Sequence, residues 1–134
     1  METAMNLGMS VTVSGTIDSV QERVTAALKA EGFGVLTQID VKETLKQKLD
    51  VDFRPYRILG ACNPTLAHRA LSAAPQVGLL LPCNVTLSQT SADSTEVSVV
   101  DPLSMLGVVH LAELSVIAEE AQARLARVVK ALES

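Results

Sequence analysis

Residues 56–86 read YRILGACNPTLAHRALSAAPQVGLLLPCNVT, and this stretch holds both cysteines of the chain. Tyr56–Cys62 alternates as a strand. Tyr56, Ile58, Gly60 and Cys62 fall on one face, and Arg57, Leu59 and Ala61 on the other, because successive strand side chains point opposite ways. Asn63 is placed to cap a helix: its side-chain oxygen can accept from a backbone N–H that the first turn leaves without a partner. Pro64 suits the first helical position, where a missing N–H costs nothing. The helix should run to about Ala73, with Leu66, Ala70, Leu71 and Ala74 sharing a face. It should end there because Pro75 disfavours helical geometry at Ala74.

The chemistry of the stretch rests on its thiols. Cys62 would lie just before a helix N-terminus, where partial positive charge favours a thiolate and lowers the pKa. Cys83 lies in Pro82-Cys83-Asn84, and Cys83-Asn84-Val85-Thr86 echoes Cys62-Asn63-Pro64-Thr65. The two thiols could meet if the chain returns to the sheet beside the first strand. The plainer reading is packing, since cysteine is among the most buried residue types. No Cys-x-x-Cys occurs, so thioredoxin-like exchange has no direct motif. Two thiols alone cannot complete a structural zinc site, which takes four ligands. As metal ligands, Cys62 and Cys83 better suit a soft ion such as Cu(I). His68, by helical geometry, faces away from the Leu66 stripe towards solvent. A ligand or acid–base role for it would need Cys62 or a carboxylate nearby.

Working outward, residues 1–8 read as a loose arm and residues 9–134 as one domain. Met9, Val11 and Val13 alternate with Ser10, Thr12 and Ser14 as a half-buried strand. A helix should start near Thr16 or Asp18, with Asp18 and Gln21 resembling a capping box. Ile17, Val20, Val24 and Leu28 form its apolar stripe. Gly32 fits the left-handed position after the helix, with Phe33 folded back on Leu28. Gly34–Val41 reads as a strand with Val35, Thr37, Ile39 and Val41 on one face. Lys42–Leu49 reads as a short helix anchored by Leu45 and Leu49, with Lys42, Lys46 and Lys48 on a solvated side.

Beyond the central helix, Val77–Leu81 reads as a short apolar strand. Asn84–Gln89 and Thr95–Val100 read as a hairpin turning at Thr90–Ser94. Pro102–Leu111 is apolar with little period; Leu103, Met105, Leu106, Val108 and Val109 need a core, a pocket to line or a partner surface. Ala112–Leu132 reads as a long helix with Leu114, Ile117, Ala118, Ala121, Leu125, Val128 and Leu132 as its stripe.

Composition narrows the function classes. At 134 residues and 48% hydrophobic, the chain can build one sizeable core, while aromatics are only 2%. That scarcity removes the stacking platform expected for single-stranded nucleic acid. A net charge of -4 opposes a phosphate-binding surface. The longest apolar run falls far short of a membrane span. The first 13 residues show no positively charged start before an apolar core, so a cytoplasmic location with reduced thiols is expected. No phosphate loop, nucleophile elbow or His-Glu-x-x-His is present.

Three phrases carry a resemblance. Glu31-Gly32-Phe33-Gly34-Val35, Leu59-Gly60-Ala61-Cys62-Asn63-Pro64 and Leu80-Leu81-Pro82-Cys83-Asn84-Val85, in this order, resemble the domain of unknown function 302 (DUF302) family. The resemblance covers nearly all of the chain after the arm. It implies an α+β fold: an antiparallel sheet against two long helices, with a β-α-β(4)-α core, short extra helices and a TATA-binding-protein-like architecture, often dimeric. It also implies that Cys62, Asn63, Pro64, Pro82 and Cys83 mark a shared site. It brings no activity with it, and fold alone does not supply one.

The expectation is therefore a non-catalytic, homodimeric ligand-binding or interaction protein that binds neither nucleic acid nor membrane. No resident cofactor is expected, only a transient soft metal such as copper. The alternative is a thiol-based redox or soft-metal and sulfur-binding protein using Cys62 and Cys83. Hydrolase or transferase activity ranks below both, since no nucleophile–base pair can be named.

Overall fold

Five segments with period-two alternation and two longer ones with a period near 3.6 sort this chain into a sheet covered on one face. The computed structural model describes residues 7–107 and 109–133. The chain runs β1 (Gly8–Ser14), α1 (Ile17–Ala30), β2 (Gly34–Asp40), α2 (Val41–Leu49), β3 (Tyr56–Cys62), α3 (Pro64–Ala73), a 3₁₀ helix (Pro75–Leu80), β4 (Cys83–Ser91), β5 (Ser94–Val100), α4 (Pro102–Leu106) and α5 (Ala112–Ala131). The strands form one antiparallel sheet in the order β1-β5-β4-β3-β2. Without the short helices the order is β-α-β(4)-α, the expected α+β class. The expected loose arm lies outside the described residues except for Leu7 and Gly8, and Gly8 already belongs to β1.

The first hydrophobic core lies between the sheet and its two long helices. Val13, Leu59, Ala61, Val85, Leu87, Val97 and Val99 point inward and are buried. They meet Ile17, Val20, Val24 and Leu28 of α1 and Leu125, Val128 and Val129 of α5. Local signals set the ends of α1. Thr16, rather than Asp18, is the N-cap, accepting from the Ser19 N–H at 3.3 Å. Gly32 takes φ +84°, and Phe33 N–H reaches back to the Leu28 carbonyl at 2.9 Å, the expected C-terminal turn. Asp18 is thereby free to bond Arg57 of β3 at 2.7 Å, which ties the helix start to the sheet.

A second, smaller core gathers Leu66 and Ala70 of α3, Val77, Leu106 of α4, and Leu114, Ile117, Ala118 and Ala121 of α5. Helix α5 therefore serves both cores, its N-terminal half in the second and its C-terminal half in the first. Met105 packs against both.

Several expectations change at this level. Val77–Leu81 is no strand: both places beside β3 are taken by β2 and β4, and the segment coils as a 3₁₀ helix with Val77 buried and Leu79 exposed. A register shift between Val35 and Thr37 puts Val35 and Ile39 on opposite faces of β2. Val35 then packs on the first core while Ile39 is half exposed. Leu71 and Leu49 are exposed too. Helix α2 buries no residue; it is held at its start by the Asp40 cap on Glu43 N–H. The hairpin turn is tighter than expected, with β4 extending to Ser91 and β5 beginning at Ser94. The run from Pro102 is no exposed patch: Pro102 and Leu106 are buried, and Leu103, Met105 and Val109 pack on the second core. Val108 lies outside the described residues.

Candidate functional site

The two cysteine phrases meet at one end of the sheet. Ala61 of β3 faces Cys83 of β4 in the register, so Cys62 follows one residue along, opposite Gly34 of β2. The chain then turns into α3. Asn63 Oδ1 accepts from the Leu66 N–H at 3.1 Å, and Pro64 takes the first turn. Asn63 is buried, one of two buried polar residues among those described. The second phrase enters through a cis Leu81–Pro82 peptide. The Pro82 ring lies over Gly60, where a β-carbon would meet Pro82 Cγ at 2.7 Å and the Thr37 hydroxyl. Gly32 gives Asn63 the same kind of clearance, since a β-carbon there would stand 2.9 Å from Asn63 Nδ2.

Between these turns lies a narrow, mainly apolar cavity of about 40 Å³. Cys62, Asn63, Pro82 and Cys83 line it, together with Phe33 and Ala61 from the first core and Leu66, Leu106, Ile117 and Ala121 from the second. Met105, which touches both cores, also reaches its wall. The cavity is thus the seam between two packed clusters, floored by the end of the sheet and roofed by α3, α4 and α5.

Both thiols are free; Cys83 is buried and Cys62 partly so. The expected thiolate at Cys62 is overturned. Burial pushes the Cys62 thiol up, because an apolar surrounding disfavours the charged form. Cys83 is pushed up to about 11, first by burial and then by the neighbouring Cys62. Each thiol is therefore a neutral, protonated group at neutral pH.

Four of the expected site residues converge here, and two do not. Pro64 is exposed at the start of α3 and is absent from the lining. His68 is exposed, in a shallow surface depression with Arg69, Glu113 and Val116 on the far side of α3. His110 is exposed as well. Sequence reasoning missed Phe33 and the α5 residues Ile117 and Ala121 as lining, because a stripe residue facing a core and one facing a cavity look alike. Met105 belonged to the aperiodic run for which pocket lining was one of three options.

A charged lattice braces the seam from outside. Arg124 of α5 donates to the Glu31 carbonyl at 3.0 Å, capping α1, and to Glu120 at 3.2 Å. Arg69 of α3 donates to the other Glu120 oxygen at 3.2 Å. Arg69 and Arg124 together hold the Glu120 carboxyl below its usual range. Arg127 bonds Glu31 at 2.9 Å. Arg124 Nε is buried without a hydrogen-bond partner.

Fold and site define a small α+β domain with one helix-covered antiparallel sheet and a two-thiol seam between two cores. The model of the domain of unknown function DUF302 matches residues 9–132, and the chain belongs to that family. A solved structure described as the crystal structure of an uncharacterized conserved DUF302 protein from Bacillus stearothermophilus is 34% identical, with a TM-score of 0.86 over 96% of this chain and 99% of that one. No match is found among the curated proteins. No helix among the described residues is long and apolar enough to cross a membrane.

Proposed function

We propose that the domain is a non-catalytic binding protein that holds a small ligand in the seam lined by Cys62, Asn63, Pro82 and Cys83, and that it works as a homodimer. The observation that carries the binding reading is the convergence of two distant cysteine phrases on one cavity, with Gly60 and Gly32 clearing space for Pro82 and Asn63. Ligand sites are characteristically apolar clefts with a few placed polar groups, and this one has two thiols and a buried amide. The dimer reading rests on the sheet's uncovered face. Ser10, Ser98, Thr86, Ile58 and Ile39 form one row across all five strands there. Ile39 and Leu36 at the β2 edge are exposed, and Phe53 stands edge-on to Tyr56 at 6.1 Å.

Native mass spectrometry of untagged protein, purified without chelator or reductant, tests both parts. The expected species is a dimer with added mass that disappears in Cys62→Ser and Cys83→Ser. A monomer at the bare sequence mass at micromolar concentration counts against the whole reading.

A redox reading also has an observation behind it, the two free thiols on one cavity. It requires thiolates, which burial disfavours at both positions. Iodoacetamide labelling against pH decides it. Labelling of folded protein below pH 8 favours redox chemistry, and labelling only of unfolded protein removes it.

A further inference from the structure

Among the described residues the sheet has two free edges, β1 and β2, and they are built differently. Strand β2 is guarded. A bulge between Val35 and Thr37 breaks its register, Asp40 closes it as the cap of α2, and the lysines of α2 follow directly. Bulges and charges are the usual protection of an exposed edge against another strand. Strand β1 has neither: it pairs with β5 without a shift, and it contains no charged residue and no proline. Ladder parity fixes which backbone groups β1 offers. At its two ends the Asp101 N–H donates to the Leu7 carbonyl at 3.0 Å, and the Gly15 N–H to the Asp93 carbonyl at 2.7 Å. Bonded pairs alternate with unbonded ones in an antiparallel ladder. Met9, Val11 and Val13, in step with both ends, therefore direct their N–H and C=O groups to β5. Gly8, Ser10, Thr12 and Ser14 aim theirs away from the sheet. The side chains along this edge are uncharged as well. Met9 and Val11 are half-buried against the first core. Above them, α5 turns Arg124 and Arg127 towards Glu31 at the end of α1. Gln122, bonded to Asp101 at 3.0 Å, looks the other way, with Ala126 and Val129 in its helical row.

We propose that β1 is the contact between two copies of this chain, with antiparallel β1 strands joining two five-stranded sheets into one. The proposal rests on the homodimer reading and places the contact at the sheet's edge, so that the open face runs unbroken across both copies. A two-fold axis at Val11 fits the parity. Ser10 bonds the partner's Thr12 and Gly8 the partner's Ser14, each through both backbone groups, and Val11 meets the partner's Val11 between them. All seven residues of β1 are then paired. Met9 faces the partner's Val13, so the apolar side chains stay on the core side and the hydroxyls on the open face. A strand that meets its own copy must avoid like charges opposite one another, and Gly8–Ser14 does so.

The test is amide hydrogen exchange on the intact chain at micromolar concentration and at high dilution, with sedimentation giving the mass at each. The expected result is a dimer in which the Ser10, Thr12 and Ser14 amides exchange at least about 10-fold more slowly than in the dissociated chain. The Met9, Val11 and Val13 amides should be protected in both. Thr12→Pro removes one outward N–H and leaves every β1–β5 bond in place, a position where an edge strand tolerates proline. It should weaken dimerisation by about 100-fold and keep the fold, as circular dichroism can verify. A dimer whose Ser10 and Thr12 amides exchange as freely as in the dissociated chain overturns the β1 contact and leaves the homodimer standing on another surface. A folded Thr12→Pro that dimerises as the parent does has the same meaning. If the proline variant does not fold, exchange on the parent decides alone. A parent that stays monomeric at micromolar concentration sinks both the contact and the homodimer.

Discussion

The first core and the second are built from similar residues and packed by different means. In the first, strands and helix stripes supply whole faces: twelve inward side chains from β1, β3, β4, β5, α1 and α5 have 2% exposure or less. In the second, a ten-residue helix, a 3₁₀ turn and a five-residue helix lean on one half of α5. The first is held by ladders and long periodic stripes, the second largely by its contact with α5. Short elements cannot stabilise themselves by hydrogen bonding alone, so the second core should be the weaker unit. The seam lies at the border of these two units, with residues of both in its lining.

The sharpest test compares equal truncations in the two cores. Leu59→Ala, at 0% exposure on β3, should cost about 3–5 kcal/mol in urea unfolding. Leu106→Ala, at 5% on α4, should cost about 2 kcal/mol because a short helix can collapse into the space. Hydrogen exchange should show Leu106→Ala speeding amides of α3 and α4 and leaving β4 and β5 protected. Equal costs and uniform exchange would mean that the two clusters are one cooperative core.

The next effect belongs to the seam. A rise of the Cys83 pKa from an ordinary 9.0 to about 11 corresponds to about 3 kcal/mol. The sign follows from proton counting. Between those values the unfolded chain has lost the thiol proton and the folded chain keeps it, so stability falls as pH rises. The contribution is complete below about pH 9 and is lost by about pH 11. Chemical denaturation of the parent across that window should show the decline. Cys83→Ala, though less stable overall, should show a flatter profile. Parallel profiles would mean that Cys83 is hydrated in the folded protein.

The same division explains what could be read from sequence. The α1 stripe Ile17, Val20, Val24 and Leu28 and the α5 stripe from Leu114 to Leu132 were legible because their period persists over several turns. Cap chemistry fixed Asn63 and Gly32 for the same local reason. Val77–Leu81 was misread as a strand because an apolar run of five residues has no period, and only the occupied neighbours of β3 exclude it. Val35 does not share a face with Thr37 and Ile39, as alternation suggests, because one extra residue at the bulge inverts a period of two. The converging cysteine phrases were legible as a pair, but the pKa direction at Cys62 was not, because it depends on burial by residues distant in sequence. Met105 joins the site through a tertiary contact that spacing does not encode.

A smaller effect probes the turn that brings the phrases together. Gly60→Ala puts a methyl against Pro82 Cγ and the Thr37 hydroxyl. Thr37 lies near the sheet edge and can rotate; the Pro82 ring cannot yield as easily. A cost of about 1–3 kcal/mol is expected, relieved in part by Thr37→Ala in the same chain, which removes the hydroxyl. No relief would place the strain on Pro82 alone and tie Gly60 directly to the second phrase.

The smallest effect separates capping from packing at the seam. Asn63→Ala removes the acceptor for the Leu66 N–H and should cost about 1–2 kcal/mol. Asn63→Asp keeps that acceptor and places a charge where the helix N-terminus favours it, yet burial opposes the charge. Its amide nitrogen, close against Gly32, is also lost. If capping dominates, Asp should recover most of the loss at pH 7 and forfeit it as the carboxyl protonates in acid, measured as the urea midpoint against pH. If packing between α1 and α3 dominates, Asp should be no better than Ala at any pH. The second outcome would move Asn63 from the local grammar of α3 to the contact that joins the two cores, and the seam would then be held shut partly by Asn63.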